Sequence, residues 1–239
     1  MIGRIIWITA IIAVAAVTSG IQLDRQARYV PTLSVTVPPP FRAFAQIHLT
    51  TSAMQGEDKQ QALAQARLLV ARRPMPAPHQ RLLSIAEYEA GETELGGTSI
   101  QRAARHGWRD PVVQESMFQL ALAAGDQAEA ARRFAALFIR PSEELSDLQA
   151  MADPLFSGES EIARATFARV LAGADRWHRI FLNKGARTLE PGVFLDLIQR
   201  AEAQGARFNC VHLKRAVRLI GSPENPAVAA LKSKVAAAC

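Results

Sequence analysis

The chain has 239 residues, 49% of them hydrophobic and only 6% aromatic, with Ala, Leu, Arg and Gln abundant. These are strong helix formers, so the composition points to an all-α protein and away from a sheet. A net charge of +6 makes anionic lipid, acidic polysaccharide or nucleic acid the partners a basic surface could meet, unless the excess is merely a solvated face.

The N-terminus speaks to compartment. Met1 to Arg4 is short and basic, and Ile5 to Leu23 is a run of 19 uncharged residues. A helix needs ~20 residues to span a hydrocarbon core, whereas the apolar core of a signal peptide is ~7–15. Residues 1–23 therefore read as an uncleaved signal-anchor transmembrane helix. The alternative is a cleaved signal, cut near Ala13-Val14-Ala15 or Val17-Thr18-Ser19, and a soluble periplasmic protein. Arg4 and the amino terminus on one side nearly balance Arg25 and Arg28 on the other. A short basic start before an apolar core resembles an export signal, so the expectation is a single pass through a bacterial inner membrane with the body in the periplasm. Export sets aside nucleic acid as a partner.

Residues 24–40 hold four prolines, three of them consecutive. They read as a Pro-rich, semi-rigid spacer with a reach of roughly 50 Å. Beyond it, helical stretches alternate with turn signals: 41–55, 57–73, 77–90, 92–106, 111–124, 126–140, 141–153, 159–172, 175–184, 190–204, 207–220 and 224–238. Glycine punctuates them at Gly56, Gly91, Gly125 and Gly158, with gaps of 35, 34 and 33 residues. A period near 34 marks stacked helix–turn–helix units, which present extended surfaces to partners. Apolar residues recur at helical spacing at Ala130, Phe134, Leu137 and Phe138, and at Ile162, Ala163, Phe167, Val170 and Leu171. Asn209 and Asn225 are placed as local helix caps or turn residues. Gly96-Gly97 marks either close helix packing or a close ligand approach.

Over residues 41–172 the chain resembles a tetratricopeptide-repeat (TPR-like) array. The resemblance rests on small Ala130 and Ala163 five residues after their glycines, on Phe134 and Phe167 nine after, and on Pro74, Pro141 and Arg109-Asp110-Pro111 near the repeat ends. It implies a TPR-like α-solenoid of antiparallel helical hairpins that binds a protein partner along a groove. Gln65 departs from the pattern, and after Gly158 the phase breaks, since Gly173 comes too early and Gly185 and Gly221 are irregularly spaced. Residues 173–239 are therefore helical hairpins of their own or a cap.

No HExxH, CxxC, phosphate loop or GxSxG occurs, and the five histidines are scattered. No catalytic, cofactor-binding or metal residue is assigned, and the chain reads as a scaffold rather than an enzyme. Candidate partner contacts are Trp108 and Arg109 in one loop, Arg132 and Arg133 on one helix, and Trp177 and Arg179 at the start of another. Trp beside Arg is interface chemistry, although such a Trp also serves as a plug between hairpins and such an Arg as a solvated one. A basic C-terminal face (Lys214, Arg215, Arg218, Lys232, Lys234) is the candidate site for an anionic polysaccharide or lipid headgroup. Cys210 and Cys239 are a possible disulfide.

Overall fold

A computed structural model describes residues 2–107, 109–140, 145–158, 160–220 and 225–239. Among them are thirteen α-helices and no strand. The helices form two compact units, Met1–Gly107 and Trp108–Cys239, a division that falls inside the stretch read from sequence as one repeat array.

The first unit holds α1 (Ile2–Ala27), α2 (Ala45–Met54), α3 (Lys59–Arg72), α4 (Ala77–Glu89) and α5 (Thr93–His106). Helix α1 is long and apolar enough to cross a membrane, with a mean hydropathy of 2.0. The remaining helices pack in sequence: α2 on α3, α3 on α4 and α4 on α5. Gly96 lets α5 approach α4 closely, because a Cβ there would sit 2.7 Å from the Tyr88 ring. The Ser84 hydroxyl donates to the Gly96 carbonyl at 2.8 Å across the same contact. This is close packing, as one reading of Gly96-Gly97 had it.

The expected spacer at 24–40 is not extended. Asp24 to Ala27 continue α1, and Pro31–Val35 and Pro39–Phe41 form 3-10 turns. The reason is twofold. Proline suits the first position of a helical turn, where no N–H is needed. Ala27, Val37 and Ala45 also form a small buried cluster, against which Leu23, Leu33 and Phe41 pack. The helix expected from residue 41 accordingly begins at Ala45.

His79 is buried in this unit, with Nδ1 3.0 Å from the Arg73 carbonyl. Burial holds its imidazole below the ordinary value of 6.5, and the Arg73 cation acts the same way, together outweighing the hydrogen bond to the Arg73 carbonyl. The folded state therefore resists a proton that the unfolded chain accepts below pH 6.5. The stability this contributes is complete above that pH and is lost as pH falls through the lowered value. Urea midpoints should drop between about pH 7.5 and about pH 5.5, and His79→Asn should flatten the drop.

The second unit holds α6 (Pro111–Ala123), α7 (Gln127–Phe138), α8 (Leu145–Phe156), α9 (Glu161–Ala172), α10 (His178–Thr188), α11 (Pro191–Ala203), α12 (Cys210–Leu219) and α13 (Pro226–Ala238). Side chains fix where several start. Asp110, Asp126, Glu190, Asn209 and Asn225 each accept a backbone N–H of the first helical turn. Helix α6 packs on α7, α7 on α9, α9 on α11 and α11 on α13, while α8 packs on α10 and α10 on α12. The core of this unit is aromatic even though aromatics are only 6% of the chain. Phe118, Phe134, Phe138, Phe156, Phe167, Phe181, Phe194 and Phe208 form a continuous chain of ring contacts through it. Ala130 and Ala163 are fully buried, but Ile162, assigned to the buried face, is 58% exposed. Ala163 occupies the inward position instead. Helix α8 runs through Pro154 to Phe156 rather than stopping before it. The α8 start expected at Pro141 lies outside the described residues.

Gly56, Gly91, Gly125 and Gly158 all fall between helices. Gly125 has φ +71° with nothing near a hypothetical Cβ, so only backbone strain opposes substitution there. Gly125→Val should lower stability by about 2 kcal/mol in urea unfolding. Gly97 lies within α5 in open space, and Gly97→Ala should instead raise stability by about 0.5–1 kcal/mol.

Candidate functional site

A concave site in the second unit draws side chains from α10 and α12, which pack together. On α10, Arg179 and Asn183 lie four residues apart and share a face with Lys184. On α12, His212 and Arg215 lie three apart. These five residues, with Ile180 and Ala216 among the apolar ones, line a cavity of about 370 Å³. No carboxylate lines it. Among the described residues neither Arg179 nor Arg215 has a hydrogen bond or ion pair, and both are exposed. Lys184 is anchored, donating to the Arg140 carbonyl. Two guanidinium forks with no acid to neutralise them, over a partly apolar floor, suit a carboxylate or phosphate group.

The pocket's wall depends on how α12 is held. It is a short helix whose buried side chains are Leu213 and Ala216. Asn209 caps its start, accepting the Val211 N–H at 2.8 Å. Cys210 and Cys239 are disulfide-bonded with their Cα atoms 5.6 Å apart, within the usual range. Lys214 reaches the same chain end, donating to the Cys239 carbonyl at 3.2 Å. His212 and Arg215 follow directly after this clamp.

The structure distributes the other sequence-derived candidates. Trp108 lies outside the described residues. Arg109 is exposed, and its carbonyl accepts from the Arg140 guanidinium. Arg132 and Arg133 both pair with Glu129 at 2.7 Å, and Arg133 also donates to Gln114 at 3.0 Å. Burial pushes the Glu129 carboxyl up, but hydrogen bonds from the two guanidinium groups outweigh it and hold the carboxyl below its ordinary value. Trp177 is half-buried, with the Arg176 guanidinium 5.4 Å from its ring centre. Of the C-terminal basic residues, Arg215 lines the pocket, while Arg218 and Lys232 are exposed elsewhere. Lys234 is taken by an ion pair with Glu202 at 2.5 Å. The structure therefore unites Arg179 and Arg215, which sequence reading had put in separate sites. It adds Asn183, Lys184 and His212, which sequence reading missed. Their signal was present only as an i, i+3/i+4 pattern on two helices about thirty residues apart, meaningless until α10 and α12 are known to touch.

Charge also ties α9 to α11. Arg200 on α11 bonds Asp196 and reaches Glu161 on α9, and Arg164 lies 3.5 Å from Asp196. The Glu161 carboxyl is held below its ordinary value, first by the hydrogen bond from Arg200. His178 is buried, with Nε2 2.9 Å from the Leu171 carbonyl and its ring 4.5 Å from Phe208. This places it in the packing rather than at a site. Comparison of the chain with family models, with curated proteins and with solved structures finds no match.

Proposed function

We propose that the protein is a membrane-anchored scaffold, a TPR-like α-solenoid of stacked hairpins, whose C-terminal unit binds an acidic segment of a protein partner. The observation that carries the reading is the α10–α12 pocket, with Arg179 and Arg215 unpaired and no carboxylate in its lining. Alternate-helix packing, α7 to α9 to α11 to α13 and α8 to α10 to α12, supports a stack in which each hairpin buries its face on the next. Helix α1 serves as the anchor. The disulfide supports a body in the oxidising periplasm. Arg25, Arg28 and Arg42 following the apolar run weigh toward the opposite orientation, so the redox state of the cysteines in cells is the deciding observation.

The same pocket favours a second reading, an anionic polysaccharide in place of a protein segment. Titration of full-length protein in detergent with an acidic peptide and with a polyuronate separates them. The scaffold reading expects saturable peptide binding, weakened by salt. Arg179→Gln with Arg215→Gln should weaken it by about 3 kcal/mol, roughly 100-fold. Binding of polyuronate alone would select the second reading, and binding unchanged in the double variant would remove the pocket from both.

A further inference from the structure

Helix α1 is longer than a bilayer requires. Its 26 residues extend about 39 Å at ~1.5 Å each, against a hydrocarbon core of ~30 Å. Roughly six residues therefore emerge, and the C-terminal end of the helix is not a free tether. Gly20, Asp24 and Ala27 lie on one face of α1 and are buried by the body. A Cβ at Gly20 would sit 2.5 Å from the Phe41 ring. The Asp24 carboxylate accepts the backbone N–H groups of Ala43, Phe44 and Ala45 at 3.0, 3.0 and 2.9 Å. It thus caps the start of α2 from nineteen or more residues away, where the helix dipole favours a negative charge.

That clasp gathers arginines at the base of the helix. Arg25 follows Asp24 directly. The Arg28 and Arg73 guanidinium groups lie 5.4 and 4.6 Å from the Phe44 ring centre. Arg72 donates to the Arg42 carbonyl at 2.7 Å, and Arg42 to the Val37 carbonyl at 2.7 Å. Among the described residues none of these five arginines has an ion pair. The one carboxylate of the cluster, Asp24, is occupied by three N–H groups. Tyr29, 77% exposed, stands beside them, where an aromatic ring suits the headgroup zone.

We propose that the first unit rests on the bilayer and that Arg25, Arg28, Arg42, Arg72 and Arg73 form a binding surface for anionic phospholipid headgroups, with this unit continuous with its membrane helix. This rests on α1 being the anchor. Arg25 and Arg28 lie just beyond the end of the apolar run at Leu23, inside the ~10 Å over which surface charge acts, and Arg73 joins Arg28 at the Phe44 ring. Guanidinium groups with no carboxylate to neutralise them are the chemistry that recognises phosphate.

The test uses full-length protein in nanodiscs of mixed phosphatidylcholine and phosphatidylglycerol, with retained lipids counted by native mass spectrometry. Enrichment of phosphatidylglycerol is expected, declining as salt is raised. The triple variant Arg28→Gln, Arg42→Gln, Arg73→Gln should lose it by about tenfold or more. Arg179→Gln, Arg215→Gln, Arg218→Gln, which removes equal charge from the other unit, should retain it. Absence of enrichment in the unaltered protein, enrichment indifferent to salt, or equal loss in both triple variants would overturn the proposal while leaving the anchor standing. Failure of the chain to enter nanodiscs would overturn both.

Discussion

Phe134→Ala is expected to destabilise the second unit by about 3–5 kcal/mol. The ring is wholly buried and touches four others, with centroids at 6.2 Å (Phe118), 5.4 Å (Phe138), 5.6 Å (Phe156) and 5.7 Å (Phe167). Truncation leaves a cavity whose walls belong to four different helices, so no one element can collapse into it without dragging others. Urea unfolding in detergent, followed by circular dichroism, gives the number. Val112→Ala on the exposed side of α6 should change stability by less than about 0.5 kcal/mol. A loss under about 1 kcal/mol for Phe134→Ala would show that the phenylalanine chain is not a packed core.

The second large effect concerns the chain end. Replacing Cys210 and Cys239 with serine opens a loop with a sequence separation of 29, for which the chain-entropy model gives about 3–4 kcal/mol. The loss should be local, fraying α13 and loosening α12, because α12 buries little of its own. It should therefore appear in function as well: weaker binding of an acidic peptide, with Arg179 on α10 still in place but Arg215 no longer held opposite. Thiol labelling of unreduced, denatured protein from cells checks the premise. Protection released by reductant is the expected result; two reactive thiols would argue against both the clamp and the periplasmic placement.

Local punctuation made most helix boundaries readable. Gly91, Gly125 and Gly158 adopt positive φ at turns, and Asp126, Asn209 and Asn225 cap the helices that follow them. These signals act over three or four residues and survive in a bare sequence. What failed were effects carried over long separations. The proline-rich stretch looked extended because its own residues make few helical bonds. Its turns are held by Ala27, Val37 and Ala45 packing together, and by Asp24 reaching the N–H groups of residues 43–45. Arg179 and Arg215 looked unrelated because only the packing of α10 on α12 joins them.

The central claim is that the α10–α12 pocket holds an acidic segment of a protein partner. A photoreactive amino acid in place of Asn183, inside that pocket, tests it in the native membrane. The account predicts a crosslink to one protein, through a peptide rich in Asp and Glu, that disappears when Arg179→Gln and Arg215→Gln are added. Crosslinks to glycan alone, or to a protein whose capture is indifferent to both arginines, would contradict it.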